Sequence, residues 1–244
     1  MKPITTRGIV LRLIKYSETS VILNVYTEEA GLQSYILRGI RKKNNKTGMA
    51  VVQPMTLVEL LSTVSVKSSL HPIREIRPLS VYESIPYNPV KSSVLFFLNE
   101  ILCQVLMEES ENRPLFSFLF YSMEFFDQYE GPLANFHLLF LLQLSRYLGI
   151  FPQNNYHPDC PYFDRIQGCF SPYKNSALTD ADTEDSGKWL SQLLQTPYDK
   201  LSTLRVPYNT RLALNAHIIA YYQYHIPGFR EIKSLEVIQM VLND

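Results

Sequence analysis

The chain has 244 residues, 46% of them hydrophobic, with 23 Lys and Arg balanced by 23 Asp and Glu. That composition supports one large or two small packed domains and excludes a disordered or low-complexity protein. The neutral sum hides a split: residues 1–80 hold twelve Lys/Arg against five Asp/Glu, and residues 81–244 hold eleven against eighteen. An amino-terminal part that binds a polyanion is the expectation from such an asymmetry. Cys103, Cys160 and Cys169 are too few, and odd in number, for a disulfide framework, which fits a reducing compartment. No long apolar stretch opens the chain, so no secretory signal is expected. The most apolar segment, 133–148, carries Asn135, His137, Gln143 and Arg146 and reads as a buried helix rather than a membrane span. A soluble, cytoplasmic protein is expected.

In chain order, runs at 8–14, 20–26 and 32–37 are rich in Val, Ile, Leu and Tyr and bounded by polar turns, the pattern of strands. In the second run Val21, Leu23 and Val25 share one face, while Ser20, Ile22, Asn24 and Tyr26 share the other. Such a strand has one face on a core and one partly wet. Gly31 closes a tight connection from Glu28, since glycine adopts positive φ without strain. The third run passes into Arg38-Gly39-Ile40-Arg41-Lys42-Lys43 and on to Lys46. A fourth strand is expected at 55–61, opened by Pro54, and a fifth at 64–67 or 73–79, with His71-Pro72 breaking the pattern between them. Five strands in about eighty residues match a Greek-key barrel of the OB type, whose open face commonly binds oligonucleotides. An SH3-like barrel or small sandwich satisfies the same periodicity.

The period then changes. Pro78, Pro86 and Pro89 punctuate a linker, placing a domain boundary near residue 80. Helical spacing follows at 94–106, from Pro114 to Tyr129, and at 133–148 with Gly149 as terminator. Residues 150–180 form an irregular loop, after which Thr179, Asp180 or Asp182 is expected to cap a helix through Trp189 and Leu194. A last helix is expected over 208–224, before Pro227-Gly228. The fold class is therefore α+β: a five-stranded OB barrel at 1–80, then an all-helical domain at 81–244.

The barrel carries the chemistry. Arg38, Arg41, Lys42, Lys43 and Lys46 place five cations within nine residues, beside a glycine that lets the backbone follow a phosphate path. Arg12 and Lys15 add two more from the end of the first strand, and Tyr16 and Tyr35 offer flat faces on which bases stack. Enzymatic motifs are missing. No two glycines lie two or five residues apart, which removes the G-x-G-x-x-G and P-loop phosphate cradles, and neither G-x-S-x-G nor H-E-x-x-H occurs. His157, Cys160 and Cys169 gather three soft ligands in the irregular loop, whereas structural zinc takes four, usually as two close pairs. Neither an enzymatic activity nor a metal or other cofactor is expected.

The order of several short segments resembles the bacterial recombination mediator RecO family. Tyr16, Glu18, Ile22, Thr27 and Gly31 are similar to its opening run, and Arg38-Gly39-Ile40-Arg41-Lys42 to its R/K-G-x-R/K segment. Arg146-Tyr147-Leu148-Gly149-Ile150-Phe151-Pro152 resembles its L-G-x-x-P, Phe170-Ser171-Pro172 its F-S-P, and His225 with Lys233-Ser234 its tail. The departure is at the loop where many members carry C-x-x-C twice. This chain has no such pair, so the loop is a degenerate zinc loop, with Tyr156, Tyr162, Phe163 and Phe170 available to hold it by packing. The resemblance implies a non-enzymatic DNA repair and recombination mediator located at the nucleoid. Such a protein binds and anneals single- and double-stranded DNA and works with RecR. It also engages the acidic tail of single-stranded-DNA-binding protein and helps load RecA. For that tail, Arg146 beside Tyr147 and Leu148, and Arg211 beside Leu212, are the candidate anchors. An RNA- or ribosome-associated OB protein, and a metal-dependent enzyme built on the 157–169 loop, are the rival readings. The donor count gives a first prediction: the purified protein holds no structural zinc. Elemental analysis finding about one zinc per chain, with unfolding on chelation, contradicts it.

Overall fold

The structure is a computed structural model that describes residues 2–40, 48–64, 68–174 and 183–242. Two compact units divide the chain, Met1–Gln128 and Tyr129–Asp244.

The first unit is built on β1 (Lys2–Lys15), β2 (Val21–Thr27), β3 (Gly31–Leu37), β4 (Leu57–Val64) and β5 (Leu70–Pro78), which close a barrel in the order β1-β2-β3-β5-β4. The 14-residue β1 makes closure possible by pairing on both sides: residues 2–9 with β4 and residues 8–15 with β2, both antiparallel. Gly8 stands where the two ladders overlap, opposite Thr27 and Val58, and a Cβ there would collide with Val25. A bulge between Val10 and Arg12 then turns the strand, so that Ile9, Val10 and Leu11 are all buried in succession. The last seam is parallel, β3 to β5 through Ser34–Leu70, Tyr35–His71 and Ile36–Pro72. This connectivity is that of an OB barrel. Its interior is packed by Val10, Val21, Leu23, Val25, Tyr35 and Leu37 with residues of β4 and β5.

The fifth strand runs through His71-Pro72 rather than starting after it. Pro72 precedes the first β4–β5 pair, Ser62–Ile73, so its missing N–H costs no bond in that ladder. Two helices complete the unit. α1 (Pro89–Val105) starts at Asn88, whose side chain accepts from the N–H groups of Val90 and Lys91, with Pro89 in the first turn where no N–H is needed. α2 (Arg113–Gln128) starts at Asn112, which accepts from Leu115 N–H at 3.1 Å. Gly31, at φ +62°, lies so close to the chain joining α1 to α2 that a Cβ would strike the carbonyls of Glu108 and Ser110. Arg7 forks onto Glu28 at 2.7 and 2.8 Å and lies over the rings of Phe116 and Phe120, tying barrel to helix.

A polar knot secures the linker. The Asp127 carboxylate accepts from the N–H groups of Glu83, Ser84 and Ile85 at 2.7–2.9 Å. The buried Lys91 ammonium donates to Ser84 Oγ at 2.6 Å and to the Asp127 carbonyl at 2.7 Å.

In the second unit, α3 (Phe136–Tyr147) is buried along nearly its whole circumference, as its composition predicts. It is packed by α4 (Glu184–Gln195) and α5 (Tyr208–His225), with the short α6 (Leu235–Val241) following. Burial holds the His137 imidazole neutral, its pKa lowered to about 3. α4 is capped by Thr183, in a reciprocal box with Ser186, while the expected caps Thr179, Asp180 and Asp182 lie outside the described residues. The irregular loop contains a hairpin that periodicity missed, β6 (Tyr162–Asp164) with β7 (Cys169–Ser171), so the helical part is not purely helical.

Burial opposes ionisation of Asp127, but the hydrogen bonds from Glu83, Ile85 and Ser84 outweigh it and hold the carboxyl below its usual range. A depressed folded-state pKa contributes stability above the unfolded-state pKa of about 3.9, and that contribution is lost as pH falls through the folded value. Asp127→Asn is therefore expected to cost about 1–3 kcal/mol at neutral pH. The deficit relative to the unaltered protein should shrink below about pH 4, as followed by urea unfolding.

Candidate nucleic-acid interface

Strand alternation sorts the barrel's side chains. Leu13, Leu23, Tyr35 and His71 are aligned across β1, β2, β3 and β5, with Leu23 and Tyr35 in the interior. The rows on either side of that one face outward. One outward row is polar at three of its four positions: Arg12, Asn24, Ser34 and Leu70, with Asn24 Nδ2 donating to Ser34 Oγ at 3.4 Å. The other is apolar throughout: Ile14, Ile22, Ile36 and Pro72. Ile14 is 50% exposed, Pro72 is exposed and Ile22 is half-buried. In an OB barrel this is the face, with the loop after the first strand, where oligonucleotides lie.

Cations surround it. Arg12, Lys15 and Arg38 are exposed, as expected, and none has a carboxylate partner among the described residues. Arg74, which the sequence reading left out, joins them. The β4–β5 register slips between Leu61 and Ser62, leaving Arg74 as the extra residue of a bulge, exposed two positions beyond Pro72. Glu18 and Glu75 are exposed nearby in the chain, and Arg77 is taken by Glu59. Arg12 also reaches the Cys103 carbonyl at 3.4 Å, at the end of α1. Arg41, Lys42, Lys43 and Lys46 lie outside the described residues.

The tyrosines part company. Tyr16 is 61% exposed and offers its ring to solvent. Tyr35 is 2% exposed and packs in the barrel interior beside His71, where burial pushes its phenol up to about 12. It is a core residue and has no face for a base. Ile14, Ile22 and Pro72, not Tyr35, form the apolar part of the outer surface, while Ile36 in the same row is buried at 8% exposure.

The two arginines expected to anchor a partner also separate. Arg146 is exposed, its guanidinium stacked 3.6 Å from the Phe151 ring centre beside the partly exposed Tyr147. Arg211 is 5% exposed and donates to the carbonyls of Leu242 at 2.5 Å and Val206 at 3.3 Å. It closes the end of α6 onto the start of α5 and cannot receive a peptide there, because its donors point into the protein.

The residues of the 157–169 loop do not fit a zinc ion. Among the described residues no three His, Cys, Asp or Glu side chains come together as a metal-holding group, and His157 pairs with Asp159 at 3.2 Å. Other forces shape the hairpin. Phe163 and Phe170 pack at 5.3 Å, with Tyr156 and Tyr221 against them at 5.5 and 5.7 Å. Asn155 exchanges two hydrogen bonds with the Phe170 backbone at 2.7 and 3.0 Å, and Asp164 accepts from the turn N–H groups of Ile166 and Gln167. Tyr162 stands apart from this cluster, hydrogen-bonded to Glu184 at 3.2 Å.

Among the described residues no helix is long and apolar enough to cross a membrane. The chain matches two family models in succession: Recombination protein O N terminal over residues 1–82 and Recombination protein O C terminal over residues 86–236. It is 36% identical over 235 residues to the DNA repair protein RecO of Bacteroides fragilis, covering 96% of this chain and 97% of that one. It is 34% identical over 242 residues to the protein of the same name from Flavobacterium psychrophilum, covering 98% and 99%. The protein of that name from Phocaeicola vulgatus is 31% identical over 237 residues. With its OB barrel, the helical part that follows and family matches along nearly its whole length, this chain belongs to the RecO family of DNA repair proteins.

Proposed function

We propose that this protein is a non-enzymatic repair and recombination mediator whose barrel is its DNA platform. It binds single- and double-stranded DNA and anneals complementary strands. With RecR it helps load RecA onto strands coated by single-stranded-DNA-binding protein. The observation that carries this reading is the set of exposed cations, Arg12, Lys15, Arg38 and Arg74, around the open face of an OB barrel in a chain whose relatives are named DNA repair proteins. Residues 1–80 are the DNA-binding part in this proposal, and 81–244 meet the protein partners. Arg41, Lys42, Lys43 and Lys46 extend the phosphate path beyond Arg38 in sequence.

Each phosphate contact on single-stranded DNA contributes about −0.7 to the slope of log K against log salt concentration. Replacing Arg41, Lys42 and Lys43 with alanine, or Arg12, Lys15 and Arg38, is expected to flatten that slope by about 2 in each case (three contacts of about 0.7). The loss should be similar for unrelated sequences, because phosphate contacts carry no base information. An unchanged slope in both triple variants, with circular dichroism intact, removes these residues from the DNA site.

In this proposal the acidic tail of single-stranded-DNA-binding protein meets Arg146, an exposed residue whose guanidinium stacks on Phe151 and also reaches the Leu194 carbonyl at 3.4 Å. Arg146→Ala is expected to weaken binding of a tail peptide by about tenfold, the loss of one charge-assisted contact. Unchanged affinity in isothermal titration places the tail elsewhere.

A further inference from the structure

The apolar row Ile14–Ile22–Ile36–Pro72 has no role in closing the barrel. The row alternates with the interior one, which Val21, Leu23, Val25, Tyr35 and Leu37 fill; Ile14, Ile22 and Pro72 reach the surface and Ile36 between them is buried. A one-sided sheet normally turns polar residues to water, as the neighbouring row does with Arg12, Asn24 and Ser34. Here the same face carries one polar row and one aliphatic row side by side. Both cross the same strands; Arg12 belongs to the polar row, and Lys15, Arg38 and Arg74 are exposed on or just beyond those strands.

Resting on the DNA reading above, we infer that this aliphatic ladder is a platform for unpaired bases and is what makes the face prefer single-stranded over duplex DNA. The ladder needs an occupant that is apolar in the middle and anionic along its edge, which is the chemistry of a single strand with its bases splayed from the backbone. A duplex presents phosphates outward and keeps its base faces stacked inside, so it reaches the cations but leaves the ladder wet. The contact is sequence-tolerant, because every base has an apolar face. Being uncharged, it changes affinity without changing the number of counterions released. The charged residues and the ladder therefore separate experimentally: cations set the salt slope for both forms of DNA, and isoleucines set the offset for one.

The test uses the full chain carrying Ile14→Thr and Ile22→Thr, which keeps the β-branched shape suited to a strand while replacing a methyl-bearing arm with a hydroxyl. Anisotropy of a labelled oligothymidine and of a labelled mixed-sequence duplex is measured across a salt series. The expected result is about a tenfold loss for the single strand, the worth of one base contact, with duplex affinity and both salt slopes unchanged. Ile14→Phe alone, at the half-exposed position, is expected to strengthen single-strand binding by about threefold, so the inference does not hang on a variant that merely loses function. An equal loss on both forms of DNA, or no loss on the single strand, overturns it. So does loss of self-association with unchanged DNA binding, which would give the face to a second copy of the chain. If the unaltered protein binds neither form, the DNA reading itself fails and the ladder assignment goes with it.

Discussion

The double pairing of β1 is the constraint on which the first unit depends. One strand gives its first half to β4 and its second half to β2, and the bulge between Val10 and Arg12 lets it turn the corner without losing either ladder. Closing a barrel removes sheet edges, so every strand must keep its register or expose its apolar set. With that register fixed, the row through Leu23 and Tyr35 points inward, and the rows containing Arg12 and Ile14 necessarily point out. The candidate DNA face is thus a by-product of closure. Its composition, however, is not: nothing in barrel geometry asks for Ile14, Ile22 and Pro72 on the wet side.

Packing around the barrel sorts the cations into two kinds. Arg7 is spent on Glu28 and on the rings of Phe116 and Phe120, Arg77 on Glu59, and Lys91 on the knot with Ser84 and Asp127. Arg12, Lys15, Arg38 and Arg74 have no carboxylate among the described residues. A charge count alone cannot separate these groups, since Arg7 and Arg77 enter the basic sum of residues 1–80 just as Arg12, Lys15, Arg38 and Arg74 do.

Much of this was legible in the sequence, for reasons that also explain the rest. The strand at 21–27 was readable because Val21, Leu23 and Val25 fill the interior while Ile22 and Asn24 are only half-buried, which forces alternation. The strand at 31–37 shows none and was readable from its apolar run Tyr35-Ile36-Leu37. Tyr35 was misread because its chemistry suggested stacking, while its parity, shared with Leu37, placed it inside. Ile22 was visible among the polar residues of its strand, but its alignment with Ile14 and Ile36 depends on register, which one strand cannot reveal. Arg211, beside Leu212, was a candidate anchor in the sequence. Its carbonyl partners, Val206 and Leu242, come from a loop and from the distant end of the chain. The 162–171 hairpin has strands of three residues each, too short for a periodic signal, and is held by Tyr156, Asn155 and Tyr221 from outside it.

Hydrogen exchange of the full chain with and without saturating oligothymidine tests the central claim most directly, because it maps contact without altering a residue. The account predicts added protection at residues 12–16, 21–24, 34–38 and 70–74, which carry the two outward rows and their cations. Protection confined to residues 129–242, with the barrel unchanged, would contradict it.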